Sequence, residues 1–595
     1  MRRRLFAAVL GGALLLAGTA GCGIPANTEV RVEGAGPAAE AGSSSGIRGE
    51  PPNRSASGSK PEQFVKNFLS AAAGEPDRAY QRVRNFITPE DQDRLQVKEG
   101  SEVALTVVRL TEEPVIVNDP NKTEVTLKVQ QVGQLRADGT LAPPETSTTS
   151  YSFELRTQEG RADAGLFVAN PPNVLLLSVD ALEAYYQSRT IYFWNSGRTR
   201  LVPDQRYLPL AVPDERLVSE VVKWLTAGPS LWLRSGVTGL PDGTRLINNA
   251  TRTDDRWEVD LEMPDEKLRL EQLATQLAWS LHDVDGQLEI KIRTQPRKDI
   301  RDLEAHRQAN PVYQVGDGFQ RFCVYEGAVH PLSDATGTVA TVPVVAEANR
   351  NVVAAGLSRA EDQIRAALVV TEAGRQWLSV GTGLDPAVAV FNRSAKGYGA
   401  IGRPVWLRST DRGEPAGLVV ADGVLYRFDA QAQLTPVSLG VPGPVKAVAA
   451  SLDGHRIAVI AGGALYVAAL SPTEGGVTLG PARRLPTRLT DLSAVDWYGE
   501  DKLILAGEVG RPAVYEVSVD GTRDNRVEDK IGARVTHLAA YPANTEVPRN
   551  AAMYEANGVA YSSPPFERIQ PEQVQVSPPS TGTRAGNPTA PFFLY

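Results

Sequence analysis

The feature that most constrains this chain is a repeat in its C-terminal half. VKAVAASLDGHRIAVIAGGALYVAAL (445–470) and LSAVDWYGEDKLILAGEVGRPAVYEVSV (492–519) both read as strand, polar turn, strand, glycine turn, and a third strand bearing a Tyr. The stretches 352–380, 403–429 and 534–563 follow the same plan. Trp377, Tyr426, Tyr466, Tyr515 and Tyr561 hold equivalent third-strand places, about 40 to 50 residues apart. One such unit cannot bury its apolar face alone, so neighbours must stack, and this period predicts a β-propeller. Asp422–Gly423, Gly462–Gly463, Asp520–Gly521 and Asn557–Gly558 read as its hairpin turns. The aromatic series reads as packing between blades. FCVYEGAVHPL (322–332) adds a hairpin ahead of the five full units. A ring is commonly closed by pairing an N-terminal strand with C-terminal ones, which removes exposed edges. VQVS (574–577) suits that role, and the apolar end at 591–595 is able to dock, although a frayed terminus is the default. The expectation is five or six blades over 315–577, followed by a C-terminal tail at 578–595.

A chain of 595 residues has room for three or four domains, so the repeat leaves others to find. In 59–187, Ser59 and Glu62 read as a capping box, and Phe64, Val65, Phe68, Leu69 and Ala72 recur at helical spacing up to Gly74. Further helices are expected over 77–86 and from Thr88–Pro89. The period then changes to two: Val125, Leu127 and Val129 alternate with polar residues, as do Tyr151, Phe153 and Leu155. Short helices followed by an antiparallel sheet predict an α+β domain. That element order resembles the cone-shaped nuclear-transport-factor-2-like superfamily.

Residues 188–298 read as a second α+β domain. TIYFW (190–194) and RTRLVPDQRYLP (198–209) are strand-like, and a helix runs from Pro213–Asp214 to Ala227, stopped by Gly228–Pro229. A strand with Trp257, Val259 and Leu261, a helix near 266–282 and the strand LEIKI (288–292) complete it. IYF at 191–193, Leu225–Gly228–Pro229, LPDGT at 240–244, VDL at 259–261 and QLATQLAWSL at 272–281 make this run similar to the GerMN domain of spore-germination and envelope proteins. The charged residues 299–314 read as a connector to the propeller.

The N-terminus reads as an export signal. Arg2, Arg3 and Arg4 precede an apolar run from Leu5 to Leu16, too short to span a bilayer comfortably, and the small residues Ala17, Gly18, Ala20 and Gly21 lead to Cys22. The segment, 1–21, resembles a bacterial lipoprotein signal, although Thr19 stands where Leu is commonest. The resemblance makes Cys22 the lipidated first residue of the mature chain. Residues 22–58, rich in Gly, Ala, Ser, Pro and Glu, then form a flexible leash spanning roughly 35 Å. After the signal, no apolar run approaches 18 residues.

Composition and motifs narrow the chemistry. The net charge is −8, or −11 without the three signal arginines, and basic clusters are lacking, which argues against nucleic-acid binding. With Cys22 lipidated, Cys323 has no partner and reads as a buried small hydrophobe. His282, His306, His330, His455 and His537 show no metal-ligand spacing, so neither a metal site nor a cofactor is expected. Gly42–Ser44–Gly46 has the spacing of a nucleophile elbow but lies in the leash, without strand or helix around it. Asp283–Val284–Asp285–Gly286 lacks the remaining calcium ligands and reads as a turn. Gly381–Thr382–Gly383 lacks the rest of a phosphate-loop fingerprint, and the acid pairs Glu112–Glu113 and Asp254–Asp255 read as solvated turns. No catalytic motif emerges.

The order of lipobox, leash, cone-like domain, GerMN domain and propeller resembles the LpqB family of actinobacterial lipoproteins. That resemblance implies a lipid-anchored accessory protein at the extracytoplasmic face of the cell membrane. Its partner would be the extracytoplasmic domain of the sensor kinase MtrB, in the MtrA–MtrB two-component system linked to cell-envelope homeostasis. The alternative is a protein that binds peptidoglycan or another glycan, or remodels the envelope.

Overall fold

The computed structural model describes residues 49–57, 60–119, 122–157, 165–264, 269–312, 320–333, 341–410, 414–473, 476–542, 551–563, 565–576 and 586–594. The signal-like segment, Cys22, the Gly42–Gly46 motif and residues 22–48 of the leash lie outside the described residues, whereas its end carries a 3-10 turn, Arg54–Ser57, with Ser57 buried and accepting from Asn67 at 2.7 Å.

The first domain opens with helix Pro61–Ser70, which buries Phe64, Val65, Phe68 and Leu69 on one face, as a 3.6-residue period requires. Its cap is Lys60, which makes no side-chain cap bond, with Pro61 in the first helical turn. The start is therefore set by the fixed φ of proline rather than by a capping box, and Ser59 lies outside the described residues. The helix expected over 77–86 is a 3-10 turn, Pro76–Arg78, running into a short α-helix, Ala79–Arg84. The third expected helix is only a 3-10 segment, Pro89–Arg94. These pieces cover a sheet in the order Leu166–Ala169, Thr148–Thr157, Lys122–Arg136, Ala104–Leu110, Leu175–Ser178. Only the last pair is parallel. Val125, Leu127, Val129, Phe153 and Leu155 point into the core, with the rings of Phe68 and Phe153 5.3 Å apart.

Helix Val179–Tyr185 then runs straight into strand Tyr186–Asn195 of the second domain, with no linker between them. That strand pairs with Leu201–Pro209. Helix Asp214–Ala227 begins after Pro213 and stops at Gly228, whose φ of 90° is one that glycine adopts without strain. A second sheet places Arg256–Glu262 parallel to Gln287–Ile292, with helix Leu270–Ser280 as the crossover. The charged stretch read as a connector is mostly structured. Part of it forms strand Gln295–Ile300, antiparallel to Gln287–Ile292, and part forms helix Leu303–Ala309. Leu303 and Arg307, four apart, both point inward, and Arg307 donates to the carbonyls of Ala278, Leu281 and Val284 at 3.3, 3.1 and 3.2 Å. It thereby caps the crossover helix and closes the second domain.

Among the described residues the remaining strands form six blades. Each opens with an innermost strand: Val352–Ala360, Val405–Trp406, Val445–Ala450, Thr490–Trp497, Val535–Ala540 and Thr589–Leu594, which contact one another in that order around a ring. Blade six is assembled from both ends of the propeller. Thr589–Leu594 pairs with Gln320–Tyr325, which pairs with Ala328–Pro331, while Leu332 bridges Val574. The stretch read as a tail therefore supplies the closing strand, and the neighbourhood of VQVS contributes a single bridge. The physical reason is burial: Phe592 and Phe593 fill the core between blades five and six, and Phe592 stacks on Phe322 at 5.6 Å. Of the third-strand aromatics, Tyr426 meets Tyr398 of the preceding connection at 5.8 Å, whereas Tyr561 stacks on Tyr554 of its own blade at 4.9 Å and Trp377 lies under Arg393 of its own blade. Asp422–Gly423, Gly462–Gly463 and Asn557–Gly558 have both residues at positive φ, the turn that matches strand twist. At Asp520–Gly521 only the glycine does.

Candidate functional site

The exceptional turn at Asp520–Gly521 is where all three domains meet. Arg109, 4 % exposed on strand Ala104–Leu110 of the first domain, donates Nη2 to the carbonyls of Gly521 and Thr522 at 2.8 and 3.0 Å. Its Nη1 donates to Gln130 at 2.7 Å and lies 3.7 Å from Asp524. Gln130 in turn donates to the Thr487 carbonyl at 3.0 Å. From the second domain, the Tyr207 hydroxyl donates to Asp520 at 2.6 Å and lies 2.8 Å from the Thr522 hydroxyl. Buried Arg483 of blade three donates to the Asp520 carbonyl at 3.3 Å. Burial raises the Asp520 carboxyl, but Arg483 and the hydrogen bonds from Ser518, Tyr207 and Thr522 outweigh it, so Asp520 stays below the usual carboxylate range. Burial, reinforced by Asp520, pushes the Tyr207 hydroxyl well up, keeping it a donor. Each buried charge here has its counterpart, as a low-dielectric seam demands.

A second seam joins the second domain to blades three and four. Tyr192 donates to Glu500 at 2.9 Å. Asn195 donates Nδ2 toward His455 Nε2 at 2.9 Å, while His455 Nδ1 faces the Leu470 carbonyl at 3.3 Å. That arrangement assigns a neutral His455 with its proton on Nδ1, in keeping with burial holding it below the usual imidazole value. Arg456 pairs with Asp453 at 2.8 Å and lies over the Trp497 ring at 4.7 Å. Glu500, desolvated beside them, is pushed up to about 7. Inside the ring, Arg403 ahead of blade two pairs with Asp496 of blade four at 2.7 Å. Burial, with Arg403 adding to it, holds the nearby His537 of blade five down at about 3.

The motifs that mark the second domain turn out to shape one cleft. Asp204 accepts from the amide and hydroxyl of Ser230 at 2.8 and 2.7 Å. Arg206 pairs with Asp204 at 2.8 Å and donates to the Gly228 carbonyl at 2.9 Å. The loop Gly228–Pro229–Ser230 is thereby pinned. Thr244 folds back on the Pro241 carbonyl through its amide and hydroxyl at 3.1 and 2.6 Å. Gly228, Pro229 and the stretch 240–243 line a cleft of about 780 Å³ with Trp194 and Arg269. The signature is thus a loop-building device.

Cys323 lies fully buried in strand Gln320–Tyr325, where burial pushes its thiol up to about 12, so it acts as core. Asp283 to Gly286 forms the turn between helix Leu270–Ser280 and strand Gln287–Ile292, and Asp283 pairs with Arg189. Gly381 to Gly383 lie within strand Arg375–Leu384. Among the described residues no cluster of His, Cys, Asp or Glu could hold a metal, and no helix is long and apolar enough to cross a membrane. The seam residues Arg109, Tyr207, Asp520 and Glu500 escaped the sequence because their partners lie more than 300 residues away.

Comparison with known proteins bears on the whole arrangement. Family models match the chain at residues 54–182 (lipoprotein LpqB, N-terminal domain), 190–295 (sporulation and spore germination) and 328–558 (lipoprotein LpqB β-propeller domain). Lipoprotein LpqB of Nocardia farcinica is 25 % identical over 521 residues, covering 80 % of this chain and 82 % of that one. Lipoprotein LpqB of Mycobacterium paratuberculosis is 26 % identical over 524 residues, covering 82 % and 86 %. Among solved structures, the tandem GerMN domains of GerM from Bacillus subtilis match 24 % of this chain and 58 % of that one, at 16 % identity and a TM-score of 0.17. None of these proteins carries an enzyme's name. With domain models placed in order along its length and relatives spanning four fifths of it, the chain belongs to the LpqB family of membrane-anchored lipoproteins.

Proposed function

We propose that this lipoprotein is a non-catalytic binding partner of a membrane sensor kinase, of the kind its family resemblance implies. It would be held at the extracytoplasmic face of the membrane by lipid on Cys22. The observation that supports this reading most is the pair of buried polar seams, which fix three domains in one relative geometry. A fixed composite surface suits recognition of another folded protein, because little ordering entropy is lost on contact. Anchoring both partners to one membrane raises their effective concentration to roughly millimolar, so a modest interface suffices. Such a partner shifts the kinase only by its differential affinity for the two kinase states. The second domain and the propeller are the expected contact surface.

The test is autophosphorylation of an MtrB-type kinase in reconstituted membranes, with and without the lipidated protein. A changed rate together with crosslinking to the kinase ectodomain supports the proposal. Indifference in both overturns it.

A further inference from the structure

A large cavity has no part in either seam. It measures about 1080 Å³ and opens between the hairpin end of the second domain, the segment 310–312, and the strand ends of blades one to three. That is the upper end of the size range of small-ligand sites, and deeper than a flat protein interface requires. Its lining inverts the charge of the molecule. Arg200, Arg359, Arg408 and Arg427 face it against Glu361 and Glu414, while the whole chain carries −8. Clefts lined by one sign of charge concentrate the opposite ion.

Arg427 and Ser409 each carry a buried polar atom whose hydrogen-bonding capacity the protein leaves unmet. Arg427, on strand Val424–Asp429 of blade two, has its Nε buried with no hydrogen-bond partner. No carboxylate among the described residues pairs with it. Ser409 Oγ, in the turn Arg408–Thr410, is likewise buried and unpartnered. An unmet buried donor costs roughly 1–3 kcal/mol, more when charged, so such groups are kept where a ligand satisfies them. Two of the other arginines are tied down: Arg408 donates to the Arg359 carbonyl at 3.1 Å, and Arg359 lies 3.5 Å from Asp385. The guanidinium fork matches the two oxygens of a carboxylate or phosphate.

The geometry points to a binding site in this cleft for a small oxyanion ligand carrying carboxylate or phosphate groups. Arg427 and Ser409 would contact the oxyanion, and Arg359 and Arg408 would flank it. The site does not depend on the kinase reading, and either can fail alone. Two sources share this chemistry: the carboxylates of a muramic-acid-containing disaccharide peptide, and the phosphates of a short glycerol-phosphate oligomer.

The experiment is calorimetric titration of the full chain with each of these two probes, and with a poly-glutamate peptide of matched charge. One of the two small probes should bind, more weakly at higher salt. Arg427→Gln should weaken it at least tenfold without moving the melting temperature, and the exposed-site variant Arg359→Gln should weaken it less. Which probe binds names the source. The proposal is overturned if neither probe binds, if Arg427→Gln leaves affinity unchanged, or if only poly-glutamate binds, which would make the cleft a docking point for an acidic protein segment.

Discussion

Two of the places where the propeller meets the second domain are built on opposite principles. Around Asp520 two buried cations face two buried anions, Arg109 against Asp524 and Arg483 against Asp520, with Tyr207 donating to Asp520, although Arg483 Nε keeps no hydrogen-bond partner. Across the large cleft, four arginines face two glutamates, and Arg427 is left without a counterpart. Both regions use the same side-chain chemistry, yet only the first uses it to hold the domains together. A buried charge adds fixity only when its partner is present. A charge without a partner is a stability cost that proteins keep at functional sites. The contrast separates what fixes the shape of this molecule from what that shape presents.

The comparison is broken most completely by opening the ring. Deleting 589–594 removes the innermost strand of blade six and with it the buried Phe592, Phe593 and Leu594. Each buried Phe is worth about 3–5 kcal/mol on truncation to Ala, so the loss approaches the whole stability of an ordinary domain. Calorimetry should show the propeller transition lost or lowered by tens of degrees, with seam and cleft destroyed together. A melting temperature within a few degrees of wild type would show that blade six does not close the ring.

Arg109→Ala breaks the seam alone. It leaves Asp524 and two carbonyls of the 520–522 turn without their donor, at an expected cost of about 3–5 kcal/mol in urea unfolding. Oxyanion affinity of the cleft should be unchanged in the folded fraction. Tyr207→Phe removes one donor to the same turn and should cost about 1–2 kcal/mol. If either variant is as stable as wild type, the seam does not carry the docking. If either alters ligand affinity, seam and cleft are one coupled system.

How far the sequence foretold this picture depends on the range of each interaction. The blades were legible because a repeat shows its strands, turns and aromatics several times over, and Gly423 and Gly558 mark turns that need positive φ. The second-domain helix was legible because Pro213 and Gly228 bracket it. The closing strand was read as a tail because its value lies in Phe322, some 270 residues earlier, and nothing local announces that pairing. The helix Leu303–Ala309 hid among charges, since only Leu303 and Arg307 face inward on a single turn. The seams were invisible for the same reason as the closing strand. Arg109 and Asp520 lie in ordinary strand and turn contexts, and only the fold brings them together.

The effect confined to high pH comes from Glu500, which lies at the second seam. It accepts from Tyr192 at the second seam and, with Leu201 and Val312, lines a small void beside the cleft. Burial raises its carboxyl from the ordinary 4.5 to about 7, against the pull of Arg456 and Tyr192 and with Asp453 and Asp501 reinforcing the rise. The folded state therefore holds the proton more tightly than the unfolded chain, and stability falls as pH rises from about 4.5 through 7. His537 acts oppositely: its value of about 3 lies below that of the unfolded chain, so its contribution is lost as pH falls below about 6.5. A difference between variants cancels His537. Glu500→Gln keeps an acceptor for Tyr192 and removes only the titration. Its melting temperature should match wild type at pH 4 and exceed it increasingly up to pH 8, the gap growing by about 1.4 kcal/mol for each pH unit between 4.5 and about 7. A difference that stays constant from pH 5 to 8 would show that Glu500 is solvated in the folded protein and belongs to the open cleft rather than to the closed seam.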